Sequence, residues 1–305
     1  MRVTNNMLIR NVLTNINTNL KAMSKSQNQM SSGKTVRRPS DDPIVVARVL
    51  SFKTSLASME QYDKNLQDAK GWVDASESAL SMATDTLQRA RELAVYGANG
   101  TLPKESMQAL AYEIDQLIDE LVQTANTSYG GRFLFGGSQT TESPFVRSAD
   151  GKVTYRGNTD SLEWEIAPLV TITVNESGEK VFEKAVDTDG DGQGDMSVFT
   201  LLGNLYQALY DGDNTAVAGT LDQLDQAIDH LLNIRASLGA RSNRLQMSQD
   251  RVFDFKISLT ETMSKLEDID LAEAVMNYKN QENVYQAALA TAAMVLQPTL
   301  IDYLT

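Results

Sequence analysis

Cysteine is absent from the 305-residue chain and histidine occurs once, at His230. The first absence excludes thiolate nucleophiles, disulfides and Cys/His zinc sites. A hydrolytic triad would have to recruit His230, which sits in the amphipathic stretch LDQAIDHLLNIR and reads as a helix-surface side chain. Proline is scarce at 6 residues and aromatics make up 7%, which favours helices over a β-sandwich, while 42% hydrophobic content suffices for a core. Long apolar runs are missing as well. The amino terminus, MRVTNNMLIRNVLTNINTNL, has no signal-peptide segment, and no window reaches the ~18 apolar residues of a membrane helix. A soluble chain with no membrane partner is expected, and secretion, if it occurs, must use a route without a cleaved signal. No phosphate-binding loop is present, since GGRFLFGG lacks the lysine and the strand-to-helix setting. Carboxylate pairs such as those in EDID read as exposed helix charges, so no enzyme is expected.

Charge is unevenly placed. The net −13 comes almost entirely from residues 139–230, with 17 acids against 5 bases. The rest is nearly neutral but polarised: residues 1–40 carry seven Lys/Arg and no acid, whereas residues 266–305 carry six acids and only Lys279. The basic arm has no interleaved aromatic residue, which argues against nucleic acid as a partner.

The helical repeats carry most of the information. Ile9, Leu13, Ile16, Leu20, Met23, Gln27 and Met30 recur at spacings of four and three, a narrow stripe that cannot hold a lone helix in water. Gly33 and Pro39 stop this helix, Ser40 or Asp41 can cap the next, and Pro43 suits its first turn. A column then recurs every seven residues: Phe52, Met59, Leu66, Val73, Leu80, Leu87 and Ala94. A second column of equal length follows at Leu224, Leu231, Leu238, Leu245, Val252, Leu259 and Leu266. Two antiparallel rods are implied, each about 63 Å long over its column at 1.5 Å per residue. The final segment repeats the opening pattern at Leu271, Val275, Tyr278, Glu282, Tyr285, Leu289, Ala292 and Leu296.

Between the rods, Met107, Leu110, Ile114, Leu117, Leu121 and Ala125 mark a further helix closed by Gly130 and Gly131. RFLFGG, KVTYRGNTDSLEWEIAP, LVTITVN and KVFEKAV then read as short strands. The expected fold is mainly α: long antiparallel helical rods with heptad terminal helices and a small β-rich inserted domain at the far end of the rods. The divisions expected are a terminal coiled-coil layer (1–40 with 267–305), a helical rod domain (41–137 with 198–266) and an outer insert (138–197). Tyr62, Trp72, Tyr112 and Trp164 are not expected to form a stacking platform.

One stretch suggests ligand chemistry. DTDGDGQGD places Asp187, Asp189, Asp191, Gln193 and Asp195 as a weak calcium candidate, but the bidentate glutamate expected at its twelfth place is Val198. A solvated Gly/Asp turn is the simpler reading, so no cofactor is expected and a calcium-dependent binding module remains the remote alternative.

SSGK followed by DDP at 31–43, RASLGARSNRLQ at 235–246 and EDIDLAEAVMNYKNQENVYQAALATAAMVLQPTLIDYL at 267–304 give the chain a resemblance to the flagellin superfamily along essentially its whole length. The DDP turn, ANTSYGGRFLFGGSQTTESPF at 125–145 and the LIDYL ending are similar to the junction subunits of that superfamily; a filament flagellin is the alternative. The resemblance implies a secreted structural subunit of the bacterial flagellum, at the hook–filament junction. It would self-assemble into a ring or helical zone between hook-associated protein 1 and flagellin, after type III export with a chaperone on the carboxyl-terminal helices. Apart from the resemblance, the two apolar stripes suggest an assembly interface of Ile9, Leu13, Ile16, Leu20 and Met23 with Leu271, Val275, Tyr285, Leu289 and Leu296, in which opposite charge sets the register.

Overall fold

The computed structural model describes residues 5–187 and 194–295. Along the chain run α1 (Asn5–Ser32), α2 (Pro43–Gly97), α3 (Lys104–Ala125), β1 (Ser128–Tyr129), β2 (Arg132–Phe133), β3 (Phe145–Arg147), β4 (Val153–Tyr155), β5 (Glu163–Ala167) and β6 (Val170–Thr173). A π-helical turn (Glu179–Glu183), α4 (Val198–Asp211), α5 (Asn214–Glu267) and α6 (Leu271–Val295) complete it. Two compact units are present, one of residues 1–58 with 254–305 and one of residues 59–253. The expected joints at 40/41 and 266/267 therefore lie inside the first unit.

The second unit holds the core. Leu66, Val73, Leu80, Leu87 and Ala94 of α2 are buried, as are Leu224, Leu231, Leu238, Leu245 and Val252 of α5, so the seven-residue columns are its spine. Polar bonds across this pair fix the direction. Arg91 pairs with Asp225, Arg235 with Glu77, Ser242 donates to Asp74 and Lys70 to Gln246, so numbers fall on one helix as they rise on the other. The helices are antiparallel, of 55 and 54 residues. An amphipathic α3 buries Met107, Ile114 and Leu121, packs along α4, and is tied to α2 by Arg89 and Glu113 at 2.6 Å. Ser197 caps α4, Gly212 ends it at φ 81°, and Asp213 accepts the N–H groups of Thr215 and Ala216 to start α5.

The β structure is three separate antiparallel hairpins, β1–β2, β3–β4 and β5–β6. Two expectations need correction. KVFEKAV forms no named strand: Glu179–Glu183 is a π-helical turn, which buries Val181 and Phe182 together. The insert also lies along the rods rather than at their far end. Asn65 donates to the Glu165 carbonyl at 2.7 Å, Arg241 pairs with Glu176, and the His230 ring contacts the Lys180 carbonyl at 2.8 Å. Phe135, Phe145, Phe182 and Phe199 form one aromatic cluster with centroids 5.3–5.8 Å apart, in the same core as the helices. Trp72 and Trp164 do meet, edge to face at 6.3 Å, with Tyr129 on the same Trp72 ring. Trp72 is buried, so this is core packing, not a platform open to a ligand.

The 125–145 stretch is a knot in this unit. The Asn126 amide donates to the Phe145 carbonyl and accepts its N–H, at 2.8 and 2.9 Å. Leu134, Phe135 and Phe145 are buried beneath it. Gly71 lets the Tyr129 ring lie against α2: a Cβ there would fall 2.2 Å from its hydroxyl and displace the ring.

Candidate assembly surface

The first unit is built differently. Of the 47 buried apolar residues described, only Val49, Ala274 and Ala292 belong to it. Of the 25 exposed large apolar residues, it carries 14. Leaving a large apolar side chain in water instead of burying it costs about 1.5–3 kcal/mol, so this unit is far from satisfied by its own contacts.

Its two terminal helices pair along their length. Val12, Asn15, Ile16 and Asn19 line one groove with Ala288 and Thr291, and Ala22, Ser26 and Gln29 line another with Ala274, Asn277 and Gln281, so α1 and α6 run antiparallel. The less exposed positions define the seam: Ile9, Val12, Ile16, Asn19, Met23, Ser26 and Met30 on α1, and Ala274, Tyr278, Gln281, Tyr285, Ala288 and Ala292 on α6. Both follow four-three spacing. Of the residues singled out from the sequence, Ile9, Ile16, Met23 and Tyr285 lie on this seam. Leu13, Leu20, Leu271, Val275 and Leu289 do not; they are 41–60% exposed. Leu296 lies outside the described residues. In both helices the alternate positions of the expected stripe are displaced by one residue, 13 for 12, 20 for 19, 275 for 274 and 289 for 288. One residue is a rotation of about 100°. Because the rotation has the same sense in two antiparallel helices, the displaced leucines and valine fall on the same side of the pair and make one apolar ridge.

Sequence reasoning missed the alternate positions of the seam because most of them, Asn19, Ser26, Ala274, Gln281 and Ala288, are small or polar. Alanines at 274 and 288 let the backbones approach, and the signal is small residues at four-three spacing rather than large apolar ones. Charge does not join the helices directly either: among the described residues no ion pair links α1 to α6, and Lys279 pairs within α6 with Glu282 at 2.8 Å.

The joint between α1 and α2 is held by a small polar cluster. Gly33 takes φ 69°, a left-handed conformation that ends α1. Its carbonyl accepts the Ile269 N–H at 3.1 Å while the Thr35 N–H donates to the Glu267 carbonyl at 2.7 Å, so the two chain reversals are laced together. Glu267, only 5% exposed, accepts from Lys34 at 2.5 Å and Lys53 at 2.8 Å. Burial pushes its carboxyl up, but the lysine hydrogen bonds and charges outweigh that and hold it below the usual glutamate range. The same hydrogen bond raises Lys34. The α2 cap is Asp42, not Ser40 or Asp41: its carboxylate accepts the N–H groups of Ile44 and Val45 at 3.0 and 3.1 Å. Asp41 instead accepts from the Arg38 and Arg37 N–H groups, which lower its pKa. Beside it Lys21, Lys25, Lys34, Arg37 and Arg38 line a basic groove of about 270 Å³.

Of the calcium candidate, Asp189, Asp191 and Gln193 lie outside the described residues. Asp187 and Asp195 flank the bridge between Val186 and Met196. Among the described residues no cluster of His, Cys, Asp and Glu could hold a metal ion, and no helix is long and apolar enough to cross a membrane.

Comparison with known proteins fits this geometry. The bacterial flagellin N-terminal helical region matches residues 3–140, and the C-terminal helical region matches residues 221–304. Flagellar hook-associated protein 3 of Escherichia coli is 29% identical over 94% of the chain and 95% of its own length. The protein of the same name from Salmonella typhimurium is 28% identical over 95% and 96%. The crystal structure of flagellar hook associated protein-3 from Legionella pneumophila superposes with a TM-score of 0.63 at 19% identity, covering 72% of this chain and 98% of that one. The paired helical ends of a coreless terminal unit and the two matched regions that contain them lead to one assignment: the chain belongs to the bacterial flagellin family.

Proposed function

We propose that the chain is a structural subunit of the flagellar hook–filament junction, assembling between hook-associated protein 1 and the first flagellins after type III export. The observation that carries this reading is the terminal unit, which among the described residues buries three apolar side chains and bares fourteen large ones. Such a surface belongs to a component completed by neighbours, not to an enzyme or a free binding module. The ridge of Leu13, Leu20, Val275 and Leu289, with Leu271 exposed at the start of α6, would supply affinity, and the basic groove beside Asp41 would bias the approach of acidic surfaces. Leu271, Val275 and Leu289 of α6, exposed here, would be among what an export chaperone covers over roughly residues 260–305.

A junction subunit and a filament subunit predict different deletion phenotypes. Loss of the gene should leave hooks that end without filaments while flagellin accumulates in the medium, and the intact gene in trans should restore attachment. Filaments that disappear with no flagellin shed would point to a filament subunit instead.

A further inference from the structure

We infer that Leu169, at the tip of the β5–β6 hairpin, is a knob that seats on α5 of a second copy of this chain, against Phe253. The inference rests on the subunit reading above and adds a contact made by the second unit, away from the terminal helices.

Leu169 is unfavourable in two ways at once. It is the sole non-glycine residue with positive φ among the described residues, at 62°. It follows Pro168, at the position of a tight turn where glycine is ordinarily required. The side chain is also 99% exposed, with Val170 beside it partly exposed. Glycine would remove both disadvantages, so the isolated molecule gains nothing from leucine here.

The tip is nevertheless held firmly. The Glu165 carboxylate accepts the Leu169 N–H at 3.3 Å, and the Glu165 carbonyl accepts from Asn65 at 2.7 Å. The neighbouring Trp164 packs edge-on against Trp72. A strained, bare and rigid apolar residue is suited to entering a partner surface, because little ordering remains to be done on binding.

The same unit carries a matching surface at the same level. Asn65 anchors the hairpin on α2, and the Lys70–Gln246 and Ser242–Asp74 bonds carry the antiparallel register that brings residues 62–65 opposite about 250–254 of α5. There Phe253 is exposed, with Met247 exposed nearby. Each copy thus offers one knob, on a hairpin anchored to α2, and one bare aromatic on α5 at about the same height. A contact of unlike patches repeats from copy to copy around an axis, as a ring or helical zone demands.

Since the chain has no cysteine, introduced thiols are unambiguous. In a strain lacking the gene, chains carrying Leu169→Cys and chains carrying Phe253→Cys are expressed singly or together, and the isolated flagella are mildly oxidised. A covalent dimer is expected only from the mixture. No cross-link, or an equal dimer from Leu169→Cys alone, overturns the inference. Leu169→Gly supplies a second reading. Purified, it should melt at an unchanged temperature or a few degrees higher. In cells it should cut attached filaments about tenfold, the effect of losing an apolar anchor. Full attachment with Leu169→Gly also overturns the knob, whereas a wild-type chain that restores no filaments overturns the subunit reading itself.

Discussion

Replacing Glu267 by glutamine tests whether the joint is held by its buried carboxylate. Glu267 is 5% exposed and accepts from two lysines, while Lys34 and Lys53 are 41% and 46% exposed at the side chain. Hydrogen bonds to charged groups contribute about 1.5–3 kcal/mol when sheltered. Exposed ion pairs contribute about 0.2–1 kcal/mol. One buried partner and two half-exposed ones, with the glutamine oxygen still able to accept one bond, put the loss at about 1–2 kcal/mol, a factor of roughly 5–30 in local opening. The amides that read this are Thr35, bonded to the Glu267 carbonyl, and Ile269, bonded to that of Gly33. In Glu267→Gln both should exchange roughly 5–30 times faster at neutral pH, while amides around Leu80 and Leu238, buried in the rod core, should not change. The sign of the pH dependence is fixed. A carboxyl held below its ordinary value of 4.5 stabilises above that value, and the contribution is lost as pH falls through the depressed native one. Wild type and variant should therefore converge in acid. Lys34, raised above 10.5, gives the mirror effect, present below that value and lost at strongly alkaline pH. Equal exchange at Thr35 and Ile269 in the two proteins at pH 7 would refute the reasoning.

Phe145→Ala should cost about 3–5 kcal/mol, because it empties the centre of the aromatic cluster beneath the 125–145 stretch. Calorimetry should show the main transition falling by about 10 °C, and an unchanged transition would mean the insert melts apart from the rods. Gln281→Leu should act in the opposite direction. The Gln281 side-chain oxygen is buried in the α1–α6 seam without a partner, and its removal should slow amide exchange in α6 about tenfold, equivalent to about 1.4 kcal/mol. Unchanged exchange would show that the seam does not limit opening of α6.

The rods were legible because their signal is redundant. Two columns of seven apolar residues repeat at one spacing over 42 steps each, and the last five members of the first and the first five of the second prove buried. A pattern that long survives any local ambiguity. The α2 cap was displaced because Ser40, Asp41 and Asp42 are all good caps, and only the folded chain shows that Asp41 is occupied by the Arg37 and Arg38 amides. The meeting of Trp72 with Trp164 depends on a register between elements 92 residues apart in sequence, which composition cannot convey. KVFEKAV has the β-branched and aromatic residues of a strand, but the tertiary setting, in which a π-helical turn buries Val181 and Phe182, overrides that local propensity.

The terminal helices went astray for a more instructive reason. Each has two four-three frames that share alternate positions, 9, 16 and 23 on α1 and 278, 285 and 292 on α6, and differ by one residue at the others. The frame with leucines attracts attention because leucine has most to lose in water. The fold uses the other frame, since Ala274 and Ala288 let the helices approach where Val275 and Leu289 would hold them apart. A single chain cannot turn both frames of one helix toward the same neighbour. Whichever frame closes the seam leaves the other bare, so the apolar positions most visible in the sequence are those the isolated molecule leaves open to a second one.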